Sequence, residues 1–432
     1  MGAETVAAIL AGSTANQTAV SGAQTNLVSN EEYSIANAYH HDHEEGSLSG
    51  QSPTSFNGQV LKFQLEKFTD CFKEGYFEIT TNPVAGVTTE AFINYYGYWV
   101  IPTMFIKLTN NNYTPVNEVA YFKFDKDRTR YNSRQYIDYK TDNHFYGVPL
   151  AVRQAALANG HTVYCDLQVG QPNHGLENFF WMSTLAHELS VHCKLAQASD
   201  IIYDPANNGT LIAAGLANII QSISFNHVAV TVDEDARAVE VSKANSDSGV
   251  YNYISQPIYW TFNIPSTHTG EYKFPMREVR AFCMMTIFYE CEDKTQAWQR
   301  EPFDIQGPSM TDLAGNTVNF PSSFFVRGGS SNNDIVKERR VDIHRLWEHQ
   351  NRFVDREHGD WILNVSHALL DPLKDNTAQN SIHPDVYNHI TLGFKWTGAP
   401  FVGAGAGARV TVLLHTHNFI NNANSDACVL IC

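Results

Sequence analysis

Two imidazoles flank a carboxylate in His187-Glu188-Leu189-Ser190-Val191-His192, a stretch that looks at first like a metallopeptidase motif. Zinc peptidases use His-Glu-x-x-His, because an i, i+4 spacing on a helix sets both imidazoles on one face. Here the spacing is i, i+5. On a helix that puts the rings about 140° apart, and on a strand it points them to opposite faces. Neither geometry lets them share a metal. His415-Thr416-His417 does place two imidazoles on one strand face, but no third ligand lies near it in sequence. His40-His41-Asp42-His43-Glu44-Glu45 could gather a divalent ion only by ordering a polar arm, a cost set against binding. Asp355, Glu357, His358 and Asp360 place carboxylates beside an imidazole at the density of a solvated turn. No nucleophile elbow, dinucleotide fingerprint or phosphate-binding loop occurs. The expectation is no catalytic residue, no cofactor and no metal site.

The composition excludes further classes. Of 432 residues, 43% are apolar and 17% charged, a globular balance long enough for two domains. The net charge of −16 argues against wrapping nucleic acid through phosphate contacts. Its distribution sharpens the point: Glu4, Glu31, Glu32, Asp42, Glu44 and Glu45 all precede the first cation, Lys62. No tight nucleic-acid binding is expected from this chain. Seven cysteines are scattered without a Cys-x-x-Cys, as in a reduced, intracellular protein; Cys428 and Cys432 are close enough in a polar tail to pair on oxidation. No secretory signal or membrane-length apolar run is seen, so a soluble protein made inside a cell is expected. The sequons at Asn16, Asn112, Asn208 and Asn364 therefore carry little weight.

The elements that must position these residues read as strands. Residues 1–60, rich in small polar side chains, bury too little to order themselves and read as an arm. Beyond Val60, short β-branched and aromatic runs end in Asn, Gly, Pro and Asp clusters: Val60–Leu65, Gly75–Thr81, Tyr98–Leu108, Glu118–Phe124 and Thr162–Leu167. Period-2 alternation is cleanest around the histidine motif itself. Leu185, His187, Leu189, Val191, Cys193 and Leu195 share one face, while Glu188, Ser190, His192 and Lys194 share the other. Tyr203-Asp204-Pro205 stops the chain, and Leu211 to Ile220 has the helical spacing of a connector. A second set follows: Ile223–Val232, Pro257–Ile264, Val279–Tyr289, Trp361–Leu370, His389–Trp396 and Val410–His417, with a helix near Ile343–Phe353. Val279–Tyr289 is apolar on both faces and so sits between two packed surfaces. The run Gly403–Ala408 must be a loop.

The order of these segments resembles the double jelly-roll major capsid proteins of large eukaryotic DNA viruses and virophages, with tailless membrane-containing phages more distant. Phe179-Phe180-Trp181 followed by Leu185-Ala186-His187-Glu188-Leu189-Ser190-Val191 is similar to the end of that family's first roll. Val228 to Arg237 resembles the opening of its second roll, with Arg237 matching and Ala236 replacing an acid. Phe274-Pro275-Met276-Arg277-Glu278-Val279 is similar to a strand entry, and Asp385 to Leu392 precedes the last strands as in the family.

The expected fold is all-β: two tandem antiparallel eight-stranded jelly rolls with short helices in loops. The boundaries read as an arm over 1–60, a first roll over 61–205, a connector over 206–222, a second roll over 223–420 and a tail over 421–432. The resemblance implies a structural shell protein and not an enzyme, placed in the virion capsid, three copies making a pseudo-hexagonal capsomer. Its partners would be itself, neighbouring capsomers, penton or minor capsid proteins, and an internal membrane as a further candidate. Two rivals are a single jelly-roll coat protein with long loops and a carbohydrate-binding or hydrolytic β-sandwich.

Overall fold

The computed structural model describes residues 39–65, 70–93, 96–108, 113–116, 145, 148–167, 180–181, 189–204, 214–231, 234–245, 250–265, 267–276, 282–291, 304–306, 309–311, 317–319, 322–328, 334–339, 361–366, 390–398, 401–402, 408–423 and 426–430. Of the sequence expectations, Glu118–Phe124, the helix near Ile343–Phe353 and the body of the Gly-Ala loop fall outside them.

In the first half the strands are β1 (Tyr39–Leu48), β2 (Val60–Gln64), β3 (Cys71–Thr81), β4 (Ala91–Phe92), β5 (Thr103–Leu108) and β6 (Tyr113–Val116). They continue as β7 (Thr162–Leu167), β8 (Phe180–Trp181), β9 (Leu189–Lys194), β10 (Ile202–Tyr203) and β11 (Ile220–Thr231). Short helices interrupt them: α1 (Tyr96–Trp99), α2 (Leu150–Asn159) and α3 (Ala198–Ile201). All pairings are antiparallel, in the order β6-β5-β9-β2-β1-β11-β3-β7, with β8 on β3 and a separate β10-β4 pair.

Alternation decides which faces turn inward. Leu61, Phe63 and Leu65, then Leu189, Val191, Cys193 and Leu195, are buried on one side of their strands, and Phe77, Ile79, Val163, Cys165 and Phe225 on theirs. The sheet folds over so that these faces meet. Phe63 lies 5.4 Å from Phe77 and 6.1 Å from Phe225 between ring centroids, and Phe77 lies 4.7 Å from Phe225. Each ring removes a large apolar area from water, stabilising by about 1.5–3 kcal/mol.

The helix α4 (Glu234–Ala244) leads into the second half. Its strands are β12 (Val250–Ile264), β13 (Glu271–Met276), β14 (Phe282–Cys291), β15 (Asp304–Gln306), β16 (Ser309–Thr311) and β17 (Thr317–Asn319). After these come β18 (Ser323–Gly328), β19 (Asp334–Arg339), β20 (Trp361–Ser366), β21 (Ile390–Lys395), β22 (Phe401–Val402), β23 (Ala408–Ala423) and β24 (Asp426–Leu430). They form sheets ordered β12-β23-β14-β20 with β24 on β23, β13-β21-β18-β19, and β15-β16-β17-β22. Phe262 of β12 and Phe274 of β13, with centroids 4.2 Å apart, join the first two sheets. Ile264, Phe274, Met276, Phe325, Leu392, Phe394, Val410 and Val412 are buried around them.

Four expectations need correction. The arm is shorter than 1–60, because Tyr39–Leu48 is a strand paired to β11 and β2, and Phe56 is in the core. Ile220–Thr231 is an interior strand of the first sheet, not the opening of a second roll. Its alternation, Ile223 and Phe225 inward against Ser222, Ser224 and Asn226, fits a strand with one buried face. Of the expected helical connector, the described part is a 3-10 turn at Ala214–Asn218, and Ile220 already belongs to β11. The C-terminal tail is not free either, since β23 runs to Ala423 and Asp426–Leu430 pairs back onto it. A fifth difference is local: Tyr98 belongs to α1, and the strand begins only at Thr103.

Gly393 shows how tightly the second half is packed. It stands opposite Phe325 in the β18–β21 register, and a Cβ there would sit 2.1 Å from the ring. The ring is itself buried and has Arg327 over it at 3.9 Å, so it has nowhere to withdraw. Gly393→Ala is expected to destabilise by about 1–3 kcal/mol, the cost of overpacking a filled core. A thermal melt unchanged from wild type would contradict this packing.

Candidate functional site

Charged groups buried in an apolar interior are the natural places to look for chemistry, and two sets stand out. The first gathers around the β4–β10 pair. Ile202 stands opposite Phe92 and Tyr203 opposite Ala91, so continuing the register sets Asp204 opposite Glu90. Both acids are fully buried, as is Arg153 of α2. The Arg153 guanidinium donates to the carbonyl oxygens of Phe92 at 2.6 Å and Val148 at 3.1 Å, and lies over the Tyr203 ring. Thr89 Oγ1 donates to Asp204 Oδ1 at 2.6 Å, the Thr88 amide donates to Glu90 Oε2, and Gln154 donates to the Thr89 carbonyl. Three of these hydrogen bonds and the Arg153–Tyr203 contact tie together residues 88–92, helix α2 and residues 201–204, while the Thr88–Glu90 and Arg153–Val148 bonds are local. The arrangement supplies hydrogen bonds to backbone that has left its ladder, which is what buried polar groups need. It works as a fastener.

The second set joins the two halves of the chain. Asp70, immediately before β3, is almost fully buried and accepts two hydrogen bonds from Arg237 of α4, at 2.6 and 2.9 Å. Such a bidentate pair fixes direction as well as distance. The hydrogen bond to Asp70 raises the Arg237 pKa further above its already high ordinary value. Arg237, which the sequence reading marked only by its place after Val228–Asp235, thus holds Asp70.

His192 has a third environment. Its ring stacks on Phe105 at 4.7 Å, and Nε2 lies 3.0 Å from Ser190 Oγ. Half-burial, with Lys62 and Lys107 adding to it, lowers its pKa from 6.5 to about 4. The imidazole is therefore neutral near pH 7 and part of a packed, outward sheet face.

The candidates read from sequence fare as follows. His187 and the acidic group Asp355, Glu357, His358 and Asp360 lie outside the described residues, as does Cys432. His415 and His417 lie on β23, opposite Pro257 and Ser255 of β12, and Cys428 lies on β24 opposite Asn421. His40 to Glu45 fall within β1, where a register shift between His41 and Glu44 interrupts the pairing to β11. Among the described residues no group of three or more His, Cys, Asp or Glu side chains is placed to hold a metal. Sequence reasoning missed Asp70, Glu90, Arg153 and Asp204. The usable signal was a lone charge next to an apolar run, such as Asp204 after Ile201-Ile202-Tyr203, which instead reads as the start of a turn.

No family model matches the chain, and neither does any curated protein. Solved structures do. PBCV-1 VP54, a crystal structure fitted into a reconstruction of the virophage Sputnik, superposes with a TM-score of 0.66 at 12% identity, over 92% of this chain and 97% of that one. The Faustovirus major capsid protein superposes with a TM-score of 0.61 at 8% identity, over 89% and 90%. A chain of the Sputnik virophage structure gives 0.51 at 10% identity, over 92% and 88%. The likeness is one of fold and runs the length of the chain: the all-β architecture is that of the double jelly-roll major capsid proteins.

Two predictions follow from these sites. Arg237→Ala leaves the Asp70 carboxylate buried without its bidentate partner. Because the arginine is partly exposed, a loss of about 1–3 kcal/mol is expected. Arg237→Lys should recover little of it, since one ammonium cannot bond both oxygens as the fork does. For His192 the unfolded chain keeps the ordinary value of 6.5, so between there and about 4 only the unfolded state gains a proton. Its contribution to stability is complete above pH 6.5 and is lost as pH falls through that window. His192→Gln should flatten this part of a melting-temperature profile, and an unaltered slope would rule out the assignment.

Proposed function

We propose that this chain is a major capsid protein of an icosahedral DNA virus, with a structural role and no catalytic one. The observation that carries the reading is the end-to-end likeness of fold to capsid proteins of unrelated sequence, covering 92% of this chain in the best-superposed case described above. The site geometry supports it. The buried charges described above hold one segment of the chain against another. Sheets in both halves of the chain count against the rival of a single sandwich with long loops.

In this reading three copies close around a threefold axis. A two-roll subunit presents two similar wedges, so three chains approximate a hexagon, and head-to-tail contacts close into a ring. The shell would then tile with near-sixfold units, set among penton or minor capsid proteins and over an internal membrane where one exists. An obligate homotrimer is expected, with each pair burying more than roughly 2,000 Å². Native mass measurement and negative-stain images at low micromolar concentration test this. Rings of three support it, and a stable folded monomer would overturn it.

A further inference from the structure

We propose that copies of this chain meet through oppositely charged sheet faces, a second half against a first. The basic outward face of β13-β21-β18-β19 on one copy docks on the acidic outward face of β7-β3-β11 on another. This rests on the capsomer reading and names a contact that its assembly uses.

Register sets the basic face. Across the four strands, Glu271 stands in a row with Lys395, Ser323 and Arg339, and Lys273 with Gly393, Phe325 and Lys337. The third row is Pro275, Thr391, Arg327 and Asp334. On β13 and β21 these positions are opposite in parity to the buried Phe274, Met276, Leu392 and Phe394, which face the core. Of the twelve, five are Lys or Arg and two are acids, in a chain whose net charge is −16. The Lys273 side chain is 54% exposed, and Glu271, Pro275 and Lys395 are exposed as well. Glu271 is shared between Lys273 at 3.0 Å and Arg327 at 3.7 Å, so one carboxylate answers two cations and the face stays positive. The Phe325 ring lies on Gly393 beneath Arg327, a firm apolar floor under the charges.

The acidic face has the reverse balance. Glu78 stands beside Tyr164 and Ser224, Tyr76 beside Asp166 and Asn226, and Glu74 beside Val228. Phe77, Val163, Cys165 and Phe225, of the other parity, are buried. Three of these eight outward positions are acids and none is Lys or Arg. Tyr76 and Tyr164 pack edge to face at 5.8 Å; Tyr164 is 38% exposed, and Tyr76 and Glu78 are partly exposed. Aromatic rings supply the contact area of interfaces, while charges steer and orient the encounter.

Lys273 and Tyr164 keep their exposure in the complete chain, so its own two halves do not bring these faces together. The halves touch elsewhere, at β6 and β12, each the end strand of its sheet. Symmetry then fixes the kind of pairing. In a ring of three two-roll chains, first and second halves alternate. The wedge beside a first half and the wedge across the ring from it are therefore both second halves. Neighbouring chains within a ring, and neighbouring rings related by translation, both set a first half against a second, which is a heterologous contact. Each patch spans about 10 to 15 Å across its strands and about 14 Å along them. That is a centre for an interface of about 800 Å² per partner.

Charge reversal and cross-linking test the pairing on the full chain. Lys273→Glu with Lys395→Glu should weaken self-association about tenfold or more, and Glu78→Lys should do likewise. Combining all three inverts both faces and should restore association to near the wild-type value. Carbodiimide coupling of the wild-type protein, at rising concentration up to saturation, should yield an inter-chain peptide joining Lys273 or Lys395 to Glu74, Glu78 or Asp166. This readout needs no variant to fold. The peptide in isolated trimers supports the contact within a ring, and the peptide only in larger assemblies supports it between rings. If no such peptide forms at any concentration, or the reversed variants associate like wild type, the docking is wrong although a trimer still stands. If reversal spares association but abolishes binding to heparin, the basic face meets a polyanion and the docking is again wrong. A monomeric wild type removes the capsomer reading as well.

Discussion

Everything in the first half depends on Phe63, Phe77 and Phe225 meeting between two layers of one folded-over sheet. Two of these rings come from successive strands and the third from β11, far along the chain, and they meet only if each strand keeps its parity. A slip of one residue in β2 or β9 would carry Lys62 or His192 into the core and Phe63 or Val191 out to water. The core therefore dictates the outer surface. The lysines and the ring stack face outward because the aromatic residues between them must face inward.

The buried charges extend this control to places the aromatic core does not reach. Breaking one partner of a buried ion pair costs far more than the pair adds over an apolar substitute, so such pairs specify arrangement better than they add stability. Asp70 and Arg237 settle where α4 stands when the chain leaves the first sheet. Glu90, Arg153 and Asp204 do the same for a helix and two short strands that no long ladder holds. Their contribution is definition of shape.

How much of this was legible in the sequence varied with the physical signal. Val60–Leu65, Thr162–Leu167 and the stretch after Leu189 were plain, because strict alternation and strong turn residues coincide there. Tyr39–Leu48 was not, because a polar run such as Tyr-His-His-Asp-His-Glu-Glu carries no apolar period; its place comes from backbone pairing to β11. Ile220–Thr231 was visible as a strand but assigned to the wrong partners, since alternation reports a buried face without saying against what. Asp204 and Glu90 were invisible as buried groups, because a charge beside Asn, Pro or Thr reads as a turn whether or not water reaches it. The i, i+5 spacing argues against a metal shared by His187 and His192; His187 lies outside the described residues, and His192 lies on the outward face of β9, where parity puts it.

The position of β11 has a consequence for how the protein is made. It is the interior strand between β1 and β3, yet it is the last strand of the first half to be synthesised. Until Thr231 leaves the ribosome, β1 has only a two-residue pairing to β2, and one edge of β3 stands open. The nascent chain thus carries unpaired strand edges through most of the translation of its first half, the condition in which neighbouring nascent chains add to one another's sheets. A cell making many copies at once on clustered ribosomes would need a holding chaperone, or slow initiation, to keep those edges apart.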